Sequence, residues 1–474
     1  MQLVIFFLMI LTHTYADYPV LKAVLSEKGL RDVSQMMAVW IQNKLKSTEF
    51  PEVRGGVDIG IGTVNYAISN IQVVHCSMSG PSIEFEKGTV VSVKVSKLSF
   101  AIKGSWKTQF SIIHDGGSFD LAVYNININT LLGLGDEAGR LSITTISCCD
   151  DVGGVNIQFH GGASFFFQPF VSTLQGQISE MIRVRICPAI QQAISELKMN
   201  LQKMPVSIPV DQYIYLSVLF TSSPAVTDRS FELDIKGEFY SKSFPSEPPF
   251  SASAFDIKYA ENYMLSLAAS EFFVNSAAYA YLSSEVLQIN ITENMIPKSF
   301  PFHLHTSQFG VFIPQLHTLY PNMEMQVLLY ASKTPLFSFS SGVIDFQLPA
   351  AAKFSVVKPD GTLVPLFRLD VDSSFSGSAL IDNKRLTGVF KMKSLTLTVG
   401  SSEIGDFKTA MLEQMLVTKV NSFVLPKLND YLKTGFLLPT LHNFSLINSK
   451  LLIENGFVVI FTDVEDSWAV SMKT

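Results

Sequence analysis

The stretch ISEMIRVRICPAIQQAISELKMNL, residues 178–201, decides the fold. Ile178, Ile182, Ile186, Ile190, Ile194, Leu197 and Leu201 recur at three- and four-residue steps, which puts them along one face of a helix. The predicted helix runs from about residue 170 to 201, with Pro188 inside it as an expected kink. About 30 helical residues span roughly 45 Å. Segments ahead of it, at residues 90–95, 97–102 and 119–128, mostly alternate apolar and polar side chains, as half-buried strands do. A helix of that length against a strongly curved antiparallel sheet makes a tube. Its Ile, Leu, Phe and Met walls are either filled by side chains or hold an apolar ligand.

The bulk composition poses the same choice. Of 474 residues, 47% are hydrophobic and only 16% charged, and 37 are phenylalanine. Average domains are about 25% charged, so this chain must hide an excess of apolar surface in a membrane, a large core or a ligand cavity. The run at residues 3–11, followed by Thr14, Tyr15 and Ala16, reads as a signal peptide cleaved after Ala16. It is too short for a membrane span. The greasiest later stretch, residues 263–282, carries Glu271 and Asn275 near its middle and reads as a buried helix. A secreted chain is thus expected, with at least one disulfide among Cys76, Cys148, Cys149 and Cys187. Asn290 and Asn443 lie in glycosylation sequons. The net charge of −6 argues against nucleic acid as a partner.

Three prolines within residues 244–250 mark a stiff linker. It divides the mature chain into residues 17–243 and 251–474, and the two halves read alike. The first opens with an amphipathic helix over 21–45, continues with short strands and closes with the long helix. The second has a helix at 264–286, strand-like segments at 303–310, 323–330, 386–393 and 395–399, and a long helix at 406–432 containing Pro426. The pattern is that of an internal duplication in an α+β protein.

Catalytic constellations do not emerge. There is no Gly-x-Ser-x-Gly elbow and no phosphate loop, and the glycines at 133, 135 and 139 have the wrong spacing for a dinucleotide. His303 and His305 would share a strand face, but a third metal ligand is not nearby in sequence. An enzyme is not indicated, and neither a metal nor a catalytic residue is assigned.

Several strings carry a resemblance. They are residues 102–107 (IKGSWK) and 117–121 (GSFDL), Cys148 with Val152 and Val155, and Cys187 in the long helix. Further on are 270–273 (SEFF), 295–298 (MIPK), Phe309-Gly310 with Pro314, 320–323 (YPNM), 424–426 (VLP) and 435–440 (GFLLPT). In order and at family-like spacing, these cover most of the mature chain. It resembles the family of bactericidal/permeability-increasing protein, lipopolysaccharide-binding protein and the plasma phospholipid and cholesteryl ester transfer proteins. The resemblance implies a two-domain boomerang, each half a twisted antiparallel sheet barrel wrapped around a long helix, joined by a central sheet. It implies an apolar lipid pocket in each half, for which Ile178, Ile182, Ile186, Ile190, Met411 and Met415 are the candidate lining residues. It also implies a Cys148–Cys187 disulfide, leaving Cys76 and Cys149 free or paired together.

One departure concerns the tip of the first half, which in the bactericidal and lipopolysaccharide-binding members is rich in lysine and arginine. Here residues 57–62 and 108–114 hold no Lys or Arg. Lys44, Lys46, Arg54, Lys103 and Lys107 remain as a thin candidate patch beside the reading of scattered solvated charges. The expected function is a secreted protein holding phospholipid-like amphiphiles in two apolar pockets, with a possible defence role through lipopolysaccharide. Bound phospholipid would be its only cofactor-like ligand, and its contact with membrane or lipoprotein surfaces would be transient. The alternatives are a protein-interaction module with vestigial pockets and a plasma lipid-transfer protein without lipopolysaccharide specificity.

Overall fold

The computed structural model describes residues 18–47, 52–58, 60–86, 88–162, 171–296, 302–438 and 444–466. Residues 1–16, expected above to be a signal peptide, and Asn443 lie outside them. The chain forms two compact units. One comprises Val24–Met204 with Ser222–Leu233, the other Met1–Ala23, Pro205–Thr221 and Asp234–Thr474.

The amphipathic stretch at 21–45 is not one helix. Its first residues are a strand, β1 (Leu21–Ser26), followed by helix α1 (Glu27–Ser47). The neighbouring Val20 donates to the Ile235 carbonyl and accepts from the Ser270 N–H. Sheet pairing thus takes the start of a segment whose side-chain period alone would suit a helix. Ser26 marks the change, its Oγ accepting the Gly29 N–H at 3.3 Å as an N-cap does.

The smaller unit is built on five antiparallel strands in chain order: β2 (Val53–Asp58), β3 (Thr63–Glu86), β4 (Val90–Phe110), β5 (Ile113–Glu137) and β6 (Arg140–His160). The separate strands expected at 90–95 and 97–102 are one strand, β4. Lys97, at φ 54°, sits where the register shifts between Val95 and Leu98. Asn70 and Asn125 hold the same left-handed conformation in β3 and β5. Such bulges bend long strands and increase their twist. One face of the sheet is apolar, with Val95, Leu98, Ile102, Trp106, Phe119, Leu121, Val123 and Ile126 all buried.

Two family-like strings meet on this sheet. Residues 102–107 of β4 pair one to one with residues 116–121 of β5. Trp106 is buried, donates from Nε1 to the Ser118 carbonyl at 3.0 Å and meets Phe159 edge-on at 5.9 Å. Gly104 lies under the Phe119 ring, where a Cβ would come within 2.5 Å of a ring carbon. The strings are thus one self-packing patch of core. The sheet is followed by helix α2 (Val171–Gln202), which runs unbroken through Pro188. Val184, whose carbonyl loses its helical donor there, is exposed and can be met by water. The short strand β9 (Ala225–Val226) pairs with β10 (Ser230–Ile235).

The larger unit contains a three-stranded sheet of β7 (Ser207–Pro209), β8 (Ile214–Ser217) and β11 (Glu238–Ser241). The stretch expected as a helix over 264–286 divides. Residues Leu265–Ser270 form strand β12, paired with β21 (Phe457–Asp466), and only Glu271–Ser283 is helical, as α3. The proline-rich segment at 244–250 packs against α3 inside this unit, with Phe250 set edge-on to Phe272 at 5.6 Å. Glu271 and Asn275 have structural partners. The Asn275 side chain exchanges two hydrogen bonds with the backbone of Phe337, at 2.7 and 2.9 Å, and Glu271 accepts the Phe339 N–H at 3.0 Å. They serve the strand β15 (Leu336–Ser340) as a further strand would.

A second large sheet follows the order β13 (Gln288–Ile291), β14 (Met325–Ala331), β16 (Val343–Val357), β17 (Leu363–Asp382), β18 (Arg385–Ser402) and β19 (Phe436–Leu437), with β15 also paired to β16. The strand expected at 303–310 is instead a single bridge at His305 and a short helix, α4 (Thr306–Phe309). Thr306, fully buried, dictates this. Its Oγ1 donates to the Tyr320 carbonyl at 2.6 Å and accepts the Met323 N–H at 2.9 Å, closing the loop around α5 (Pro314–Leu319). Phe309, Phe354, Phe367 and Phe407 form a chain of ring contacts in the core beneath it. The last long helix has three parts: α6 (Ala410–Lys419), a π turn (Val420–Val424) and α7 (Leu425–Thr434), with Pro426 in the first turn of α7. The wider π turn accommodates the missing N–H of the proline. The hairpin of β20 (Phe444–Glu454) and β21 completes the unit.

Replacing Asn275, which is buried, with alanine leaves the backbone N–H and C=O of Phe337 unpaired. Asn275→Ala is expected to lower the unfolding free energy by about 2 kcal/mol, read from the midpoint of urea denaturation at unchanged slope.

Candidate lipid-binding site

Helix α2 is held against the five-stranded sheet at two places. Cys148 of β6 is bonded to Cys187 of α2, with Cα atoms 5.8 Å apart. Further along, Lys198 Nζ meets Glu137 Oε2 at 2.7 Å, and Arg140 Nε donates to the Met204 carbonyl at 3.0 Å. Hydrogen bonds from Lys198 and Ser142 hold the Glu137 carboxyl below the usual carboxylate range. Because that pKa is depressed in the folded protein, the link is complete above the ordinary carboxylate range and is lost as pH falls through the folded value.

The apolar stripe of α2 is covered unevenly. Ile178, Ile182 and Ile186 are half-buried against the inner face of the sheet. Ile190 and Ile194 are half-buried, and Leu197 is 43% exposed. Leu201 beyond it is half-buried again, so Leu197 is the exposed member of the stripe. In the larger unit Met415 packs on the core together with Leu416 and the fully buried Leu412, while Met411 is 61% exposed. Sequence reasoning missed Leu412, although its four-residue step to Leu416 carried the signal.

The remaining cysteines are both free. Cys76 is buried in the inner-face cluster, and burial pushes its thiol up. Cys149 is exposed because neighbouring residues of a strand face opposite ways, and Cys148 faces α2. Asn290 is exposed on β13, its Oδ1 accepting from Gln326 Nε2.

Of the candidate cations with described side chains, Arg54 and Lys103 lie beside carboxylates. Arg54, Ala67, Lys107 and Gly116 form one row across β2, β3, β4 and β5, so Arg54 and Lys107 share a face. Lys103 lies on that face four residues back along β4. Arg54 pairs with Glu52 at 2.8 Å. Lys103 lies 4.0 Å from Asp120, which also meets His160 at 3.0 Å. Lys46 is an exposed residue of α1, and the side chain of Lys44 lies outside the described part. His303, considered as a metal ligand, instead has its Nδ1 2.6 Å from Glu293 Oε1.

Two family models cover most of the chain. That of the LBP / BPI / CETP family N-terminal domain matches residues 29–197, and that of the C-terminal domain matches 209–465. This chain belongs to the LBP / BPI / CETP family. Within it, the chain is 33% identical over 455 residues to the bactericidal permeability-increasing protein of Sebastes schlegelii, covering 95% of this chain and 96% of that one. It is 28% identical over 450 residues to the human lipopolysaccharide-binding protein, covering 94% of each. A crystal structure of lipopolysaccharide binding protein superposes with a TM-score of 0.59 at 23% identity, over 95% of this chain and 100% of that one, and shares the fold.

Two measurements check this site. In the native protein one thiol, Cys149, is expected to react rapidly with a maleimide, and Cys76 only after unfolding. Cys148→Ser with Cys187→Ser is expected to lower stability by about 3–4 kcal/mol, since the bond closes a loop with a sequence separation of 39.

Proposed function

We infer that this protein is a secreted lipid-binding protein that takes the acyl chains of phospholipid-like amphiphiles onto apolar surface within each unit. The observation that carries the reading is the stripe of α2, which packs on the curved sheet at Ile178, Ile182 and Ile186 and leaves Ile190, Ile194 and Leu197 only partly covered. Each methylene moved out of water contributes about 0.8 kcal/mol, so two long chains supply the driving force without a charged contact. Family membership supports a binding protein rather than an enzyme. The names of the relatives support lipopolysaccharide as one ligand in a host-defence role. With Arg54 and Lys103 set beside carboxylates, this chain would recognise lipopolysaccharide through acyl chains more than through phosphate.

The segment at 1–16 supports secretion, and among the described residues no helix is long and apolar enough to cross a membrane. Asn290 and Asn443 are the proposed glycan acceptors. Bound phospholipid is the proposed ligand in place of a cofactor, and contact with membrane or lipoprotein surfaces is proposed to be transient.

A phosphatidylcholine with a fluorescent acyl chain tests the reading. Its emission is expected to rise on binding, with less than twofold change in affinity between about 0.05 and about 0.5 M salt. Ile190→Asp is expected to weaken binding at least tenfold while leaving the circular dichroism unchanged. No rise in emission with the folded protein would contradict the reading.

A further inference from the structure

The disulfide between β6 and α2 has an acidic neighbour. Asp150 lies two residues beyond Cys148 on β6, so it faces α2 as Cys148 does. Its Oδ1 lies 3.5 Å from Sγ of Cys187. A sulfur within a disulfide has no hydrogen to donate, so this contact sets a carboxylate oxygen against a sulfur lone pair. Asp150 Oδ2 is enclosed and meets no donor among the described residues. The other sulfur has a different neighbour. Thr130 of β5 is buried, pairs with Cys148 across the strands and donates from Oγ1 to Cys148 Sγ at 3.6 Å.

Folding does not ask for a carboxylate at this position. The same face of β6 continues into the core with Val152, Val155 and Ile157, and an enclosed carboxylate oxygen without a donor lowers stability. The chemistry of the bond does give it a role, because a source of thiolate stands beside it. Cys149 is free and exposed, and is the next residue after Cys148. Exchange begins when a thiolate attacks one sulfur of a disulfide and the electron pair departs on the other. Attack at Cys187 brings an anion up to Asp150. Attack at Cys148 leaves the anion on Cys187, again 3.5 Å from Asp150. Both routes raise a negative charge beside a fixed one, which disfavours them. Were the carboxylate absent, attack at Cys187 would be the easier route, since the hydroxyl of Thr130 would receive the departing Cys148 thiolate.

We propose that Asp150 guards the Cys148–Cys187 bond against thiolates, that of Cys149 first among them. In the exchange it opposes, Cys149 gives its proton to water and its sulfur forms a bond to Cys187. The Cys148–Cys187 bond breaks, and Cys148 leaves as a thiolate that takes a proton from water. No electrons are gained or lost, but α2 is then tied to the wrong residue of β6. A small external thiol follows the same routes in two successive exchanges, leaving two protein thiols and its own disulfide. The bond sets where α2 lies on the sheet, so the guard preserves that placement beside a reactive thiol. The inference does not depend on the lipid-binding reading.

Reduction of the folded protein by small thiols of opposite charge is the test, with rates taken per thiolate and freed cysteines counted by maleimide mass. Cysteamine is expected to open the bond faster than mercaptoethanesulfonate, and Asp150→Asn to shrink that preference about fivefold. With the anionic thiol, Asp150→Asn is expected to react about tenfold faster than the unaltered protein. Asp151→Asn, on the exposed opposite face of β6, is expected to change neither value. Asp150→Ser, smaller and also uncharged, gives the same comparison should the asparagine variant fail to fold. Incubation at mildly alkaline pH, acid trapping and peptide fragmentation then locate the free thiol. It is expected at Cys149 and not Cys148 in the unaltered protein, and partly at Cys148 in the uncharged variants. Equal rates with the two thiols, or a preference that the uncharged variants retain in full, would overturn the proposal. So would Cys148 becoming free to the same extent with and without the carboxylate.

Discussion

The packing of α2 against the inner face of the five-stranded sheet is the constraint from which the smaller unit follows. Strands of 21 to 25 residues cannot stay flat, because strand twist accumulates along them and bulges at Asn70, Lys97 and Asn125 bend them further. A bent sheet has a concave apolar face that water must not reach. Together with Ile41 of α1, the long helix α2 covers it. The Cys148–Cys187 bond fixes where along the sheet that helix lies, and the Lys198–Glu137 pair secures its far end.

The same constraint explains where the apolar excess of the chain goes. Part is an ordinary filled core. In the larger unit the linked rings of Phe309, Phe354, Phe367 and Phe407, with Leu366 and Leu412 fully buried, account for many phenylalanines without any ligand. Another part is only half covered, along α2 from Ile190 to Leu197. A third part is exposed, at Ile61, Ile112 and Ile113 where β2 turns into β3 and β4 into β5. Filled core, half-covered stripe and exposed turn are three different physical states of apolar surface.

Much of this was legible in the sequence. The stripe from Ile178 to Leu201 announces α2, because a helix buried on one face needs that period whatever it packs against. The alternating segments announce the sheet, but not the strand lengths. Lys97 reads as a break between two strands, whereas in a bulge one residue leaves the alternation and the strand continues. Residues 21–26 and 265–270 have side chains that fit a helix, yet their backbones are taken by neighbouring strands distant in sequence. The serines that end them, Ser26 and Ser270, are the local sign of the boundary. Thr306 turns residues 303–310 from a strand into a loop and short helix through contacts with Tyr320 and Met323, which no local pattern reveals. At the site, the charge count points to a weak cationic tip, but the pairing of Arg54 with Glu52 and of Lys103 with Asp120 depends on the folded positions of these strands. The isoleucines at 61, 112 and 113 carry no signal of their own in the sequence, because an exposed turn is legible only once the hairpins are placed.

The central claim is that the half-covered apolar surface receives acyl chains. Native mass spectrometry of the protein purified from the medium of secreting cells tests it most directly. The account predicts species heavier than the glycosylated polypeptide by the mass of phospholipid, released as intact lipid on collisional activation. A folded, disulfide-bonded protein that carries only its own mass, and gains none after incubation with phosphatidylcholine, would contradict it.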